Sequence, residues 1–87
     1  MKLTREEIIN RIVDVLLKVK KSDKYQVEKF NLELTGCYFD FDECDMVYLT
    51  LELTNEFNVD FEESDFLNYN FNTINKIIDI ICEKLGS

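Results

Sequence analysis

Three stretches of the chain carry apolar residues at three- and four-residue steps, and that period decides the class of fold. Ile8, Ile9, Ile12, Val13, Leu16 and Val19 make the first stripe. Met46, Leu49, Leu53 and Phe57 make the second, and Ile74, Ile77, Ile78, Ile81 and Leu85 the third. Such steps gather side chains on one side of an α-helix, whereas a half-buried strand would alternate. Isoleucine is β-branched and a mediocre helix former, but here its spacing outweighs its propensity. Proline is absent and the only glycines are Gly36 and Gly86. The tight hairpins of a multi-stranded β fold therefore lack their turn residues. The expectation is an all-α fold, with residues 1–87 forming one domain.

Capping chemistry marks the helix ends. Thr4-Arg5-Glu6-Glu7 has the form of a capping box, in which the Thr4 hydroxyl accepts from the Glu7 amide and the Glu7 carboxylate accepts from the Thr4 amide. Leu3 and Ile8 hold the two positions of a hydrophobic staple, so a helix is predicted from Arg5 to Val19 or Lys20. Asp42-Glu43-Cys44-Asp45 places a capping oxygen first and acids in the opening turn, where the positive end of the helix dipole favours them. Phe41 and Met46 are a second staple pair, and this helix should end near Phe57. Asn58 to Phe61 reads as an extended turn. A short third helix is expected over Asp65 to Tyr69 with Ser64 as its cap. Asn72 is expected to cap the last helix, with Gly86 just past its end. The connector from Lys21 to Phe41 is long for a compact domain. Val27, Phe30, Leu32, Leu34, Tyr38 and Phe39 are spread along it and can pin it to the helices, and it has room for one short helical turn.

Charge is segregated along the chain. The net charge is −8, yet residues 1–29 carry eight Lys/Arg against five Asp/Glu. Residues 30–75 carry eleven acids and no Lys or Arg. Such a block repels phosphate backbones and anionic lipids, which argues against nucleic-acid and membrane partners. It attracts proteins that present a basic patch and speeds their approach. Solubility alone rarely requires so long a one-signed stretch. No apolar run approaches the ~18 residues of a membrane span, and the opening residues lack the apolar core of a secretion signal. Three cysteines at irregular spacing make no disulfide framework. With no targeting information in the sequence, the cytoplasm is the default expectation.

A long helix, a wandering loop, an acidic helix, a short helix and a final helix follow one another here. That order, with this length and charge, resembles the acyl and peptidyl carrier proteins. Asp42 to Phe61, with Glu56-Phe57 closing the helix, is similar to the family's second helix. Phe71-Asn72-Thr73-Ile74 and Lys76-Ile77-Ile78-Asp79 are similar to the entry of its last helix. The resemblance implies a four-helix bundle with a long loop between helices 1 and 2 and a short helix 3. The family's mark is a Gly-x-Asp-Ser-Leu turn whose serine carries phosphopantetheine through a phosphodiester. Counting back from Glu56-Phe57 sets Asp40 at the glycine, Asp42 at the aspartate, Glu43 at the serine and Cys44 at the leucine. A carboxylate cannot hold the arm as a stable phosphodiester. Ser22, Ser64 and Ser87 lack the Asp-Ser-Leu surroundings. No cofactor is therefore expected, and the resemblance implies a carrier-like accessory or docking protein for a biosynthetic enzyme, of the kind found with peptide-maturation or natural-product systems, rather than an enzyme.

Two sites follow from the residues. Cys44, one position from the arm site, could hold an acyl group as a thioester, which would make the chain a working carrier loaded at a non-standard residue. Asp42, Glu43 and Asp45 disfavour a thiolate there, and the plainer reading is a half-buried stand-in for leucine. Asp42, Glu43, Val47, Tyr48, Leu51 and Glu52 form a candidate docking face with acids around an apolar centre. Val47 and Leu51 could equally be core. The chain has no histidine, so a Cys–His pair cannot form within it. Neither zinc-type cysteine spacing nor a complete calcium loop around Asp40, Asp42 and Asp45 is present, so no metal site is expected. An unrelated helical bundle that pairs with another protein or with itself is the third reading, and the oligomeric state is left open.

Overall fold

The computed structural model describes residues 3–69 and 71–86, with residues 67–69 described by their backbone alone. The regular elements of the described residues are all helices, joined by turns and irregular stretches. The elements are α1 (Arg5–Val19), a 3₁₀ turn (Val27–Lys29), α2 (Glu43–Phe57), a 3₁₀ segment (Glu63–Tyr69) and α3 (Ile74–Lys84). One isolated antiparallel bridge pairs Glu33 with Thr73.

Each α-helix starts on the cap chemistry of its own sequence. Thr4 Oγ1 accepts from the Glu7 amide at 3.1 Å and the Glu7 carboxylate accepts from the Thr4 amide at 3.0 Å. Asp42 and Asp45 make the same reciprocal pair at 2.8 and 3.1 Å, so Asp42 is the cap and Glu43 the first helical residue. The last helix differs from expectation. Its cap is Thr73, whose hydroxyl accepts from the Lys76 amide at 3.2 Å, while Asn72 Oδ1 accepts from the Thr35 hydroxyl at 3.1 Å. The asparagine is drawn into tying down the connector, and the next residue takes over as cap. α2 ends at Asn58 in the left-handed conformation (φ +53°), which asparagine tolerates better than most residues.

The short third helix is 3₁₀ rather than α, and it starts at Glu63, so Ser64 lies inside it. Its entry is held by Asp65, whose carboxylate accepts from the Glu62 amide at 2.8 Å. A seven-residue segment gains too few i to i−4 bonds to favour the wider helix.

Packing is organised around α1, which lies against both α2 and α3. Ile8, Ile12, Val15 and Leu16 of α1, Leu49, Leu53 and Phe57 of α2, and Ile74, Ile77, Ile78, Ile81 and Cys82 of α3 are buried together. Val15 joins the buried face although it lies outside the stripe that the periodicity predicts. It sits three residues after Ile12, at the centre of the buried face, while Ile9 and Val13 are only half-buried beside it. No polar or charged residue is buried among the described residues.

The connector is pinned as expected by Phe30, Leu34 and Phe39, with Phe41 added, all buried in the same core. Val27 is exposed and does not take part. The connector does contain one short helical turn, the 3₁₀ turn that Val27 opens. Backbone bonds from the Leu34 amide to the Asn72 carbonyl (2.7 Å) and from the Asn75 amide to the Phe30 carbonyl (3.1 Å) fasten the connector to the start of α3.

Leu53 is fully buried, so Leu53→Ala should lower the unfolding free energy by about 3 kcal/mol in urea denaturation. Thr4→Ala should cost about 1 kcal/mol through its lost cap. A Leu53→Ala loss no larger than that of Thr4→Ala would contradict this packing.

Candidate functional site

The inner side of α2 belongs to the core, and its outer side is apolar as well. Val47, Leu51 and Tyr48 are 62%, 59% and 47% exposed. The stripe that the sequence left divided between core and surface therefore lies outside. Asp42 and Glu43 are exposed and Glu52 is half-buried. Among the described residues, no Lys or Arg forms an ion pair with Asp42, Glu43 or Glu52.

Val47 and Leu51 stand between two hollows. The first, of about 430 Å³, lies between α2 and the 63–69 segment with the residues after it. Met46, Val47, Thr50, Leu51, Phe66, Phe71 and Asn72 line it. The Thr50 hydroxyl donates to the Met46 carbonyl at 3.0 Å, so the helix itself satisfies that polar atom. The second hollow, of about 380 Å³, covers the first turns of α2 and is lined by Glu43, Cys44, Val47, Tyr48 and Leu51. Four of the six docking candidates, Glu43, Val47, Tyr48 and Leu51, thus line a hollow, while Glu52 lines neither and Asp42 caps the same helix.

Three cysteines are free. Cys82 is buried, and Cys37 and Cys44 are exposed. Cys44 is thus not the half-buried stand-in for leucine that the sequence favoured. At the second helical position it lines the hollow over the first turns of α2, and Met46, two residues on, is the first of these two to pack against the core.

Sequence reasoning missed three features of this region. Lys20, at the end of α1, places its ammonium 3.6 Å from the Asp45 carboxylate and 5.7 Å from the centre of the Phe41 ring, and donates to the Asp40 carbonyl. It brings a cation to the entrance of α2 that the linear charge map assigns to another segment. Asp40 itself has left-handed backbone (φ +57°). Phe66 and Phe71 form the far wall of the larger hollow, with ring centres 5.0 Å apart and Phe61 5.1 Å from Phe71. The spacing of these three rings, every fifth residue, is neither a helical nor a strand period, and that is why it gave no signal.

That wall is clamped to α3. Lys84 Nζ lies 2.9 Å from Asp65 Oδ2 and 5.6 Å from the centre of the Phe61 ring. Burial works against the Asp65 charge, but the Glu62 amide and the Lys84 ammonium outweigh it and hold the carboxyl below its usual value.

Comparisons with family models, with curated proteins and with solved structures return no match to this chain. Among the described residues, no group of three or more His, Cys, Asp or Glu side chains is arranged to hold a metal ion, and no helix is long and apolar enough to cross a membrane.

Because the folded-state value of Asp65 is depressed, its contribution to stability is complete above the unfolded value of about 3.9 and disappears as pH falls through the lower folded value. Asp65→Asn should therefore be less stable than the parent at pH 7, and the gap in urea midpoints should close as the solution is acidified below about pH 4. A gap that persists unchanged at the acid end would show that the Asp65 charge does not hold this wall.

Proposed function

We propose that the protein is a carrier-like domain without a prosthetic arm, serving as a docking or accessory subunit for a biosynthetic enzyme. The reading takes α1, α2, the 63–69 segment and α3 as the four members of a carrier-type bundle, with the stretch 20–42 as its long first loop. The observation that carries it is the chemistry at the entrance of α2. Glu43 is the first residue of that helix and is exposed. The capping aspartate precedes it, and two residues before the cap Asp40 has the left-handed backbone that a glycine would ordinarily supply. A left-handed residue two positions before a capping aspartate supports the reading of residues 40–44 as an altered arm-bearing turn, in which residue 43 does not fit the group. A carboxylate offers no hydroxyl to esterify and sets a negative charge where a phosphate would lie. Ser22 and Ser64 belong to the connector and the 63–69 segment, and Ser87 lies outside the described residues.

In this role the protein performs no chemistry of its own and works in the cytoplasm through its acidic, apolar-centred α2 face. Its partner is a protein with a basic patch, in the setting of peptide maturation or natural-product assembly, and nucleic acid and membrane have no part in it. The exposed thiol of Cys44 favours one second reading, a carrier loaded there as a thioester.

Intact-mass measurement after incubation with coenzyme A and a broad-specificity phosphopantetheinyl transferase tests the proposal. The parent chain should keep its mass, and Glu43→Ser should gain one phosphopantetheine. A gain on the parent chain would overturn the arm-less reading. Failure of Glu43→Ser to gain would overturn the assignment of residue 43 to the arm position. A thioester adduct abolished by Cys44→Ala would favour the second reading.

A further inference from the structure

We infer that the hollow between α2 and the 63–69 segment receives the apolar side chains of a cationic amphipathic helix from the partner protein. The inference rests on the docking reading above and supplies its occupant. The hollow, about 430 Å³, falls within the size range of pockets that seat small ligands. Its ridge residues, Val47 and Leu51, are four apart on one helix face, and Phe66, 42% exposed, stands opposite. Apolar side chains at i and i+4 of an incoming helix have the matching spacing.

Charge selects among the possible occupants. Glu43 stands one turn before Val47 at the start of α2 and lines the neighbouring hollow, and the exposed Glu62 and Glu63 lie at the start of the segment that carries Phe66. A second copy of this chain docked by a two-fold would set one acidic rim against the other, at a cost that like charges impose. A free fatty acid would bring a carboxylate to a hollow whose lining residues include no Lys or Arg, and Lys84, behind its wall, is already engaged by Asp65. A helix with an apolar stripe between Lys or Arg residues meets both demands, filling the hollow and pairing with the rim.

The probe is a fluorescein-labelled helical peptide of leucines at i, i+3, i+4 and i+7 with lysines elsewhere, titrated into the full chain and followed by anisotropy. Val47→Asp and Leu51→Asp should each weaken binding at least about tenfold. Val27→Asp, the same charge change at an exposed position on the 3₁₀ turn, should alter it less than about twofold. Replacing the peptide's leucines by glutamine should abolish binding. Amide shifts on the parent protein should centre on Val47, Leu51 and Phe66, a readout that does not depend on any variant folding. Equal affinities for Val27→Asp and Val47→Asp would overturn groove insertion while leaving charge-driven docking in place. Absence of saturable binding would overturn the inference, as would a stable dimer of the parent chain that Val47→Asp dissociates. Phosphopantetheine on the parent chain would overturn the arm-less reading without bearing on these shifts.

Discussion

The apolar stripe of α1 is the constraint from which the rest follows. Ile8, Ile12, Val15 and Leu16 are fully buried because two other helices must cover them. α2 contributes Leu49, Leu53 and Phe57 to that task, and α3 contributes an isoleucine-rich face. Burying a side chain of this size stabilises by roughly 1.5–3 kcal/mol, so the shared face outweighs any single cap or ion pair. With α1 as common partner, the outer side of α2 has no α-helix over it among the described residues. The exposed ridge and its two hollows are thus a by-product of the packing order.

The long connector becomes intelligible on the same terms. A stretch of about twenty residues without an α-helix of its own costs considerable chain entropy to order. Four buried aromatic and aliphatic anchors and two backbone bonds to the start of α3 offset that cost. The connector ends at Asp40 and Phe41, where Lys20 reaches back from α1. The entrance of α2 is therefore held from several sides, and Glu43 occupies a fixed place rather than a loose loop tip.

Much of the fold was legible because it rests on local signals. Helical period and capping boxes give α1 and α2 nearly to the residue, and Asp42 is the cap that its sequence context demands. The errors lie where distant residues intervene. Asn72 is a good cap in isolation, but Thr35, far away in sequence, claims its side chain. Whether Val47 and Leu51 face the core depends on which side of α2 meets α1, and their own spacing cannot decide it. Phe66, Phe71 and Lys20 reach the site through tertiary packing alone, so no local pattern points to them.

The interior contains no buried polar side chain among the described residues. Its helices are consequently kept in register chiefly by the shapes of Ile, Leu, Val and Phe, while the specific polar links between them, Arg5 to Cys82 and Asp79 and Arg11 to Glu56, lie at the edge of the core. Cores of that kind accept exchanges of one aliphatic group for another provided total volume is kept. Descendants of this chain could replace most of their interior in small steps without losing the architecture, while the caps at Thr4, Asp42 and Thr73, each bound to one particular amide, would have to stay in place.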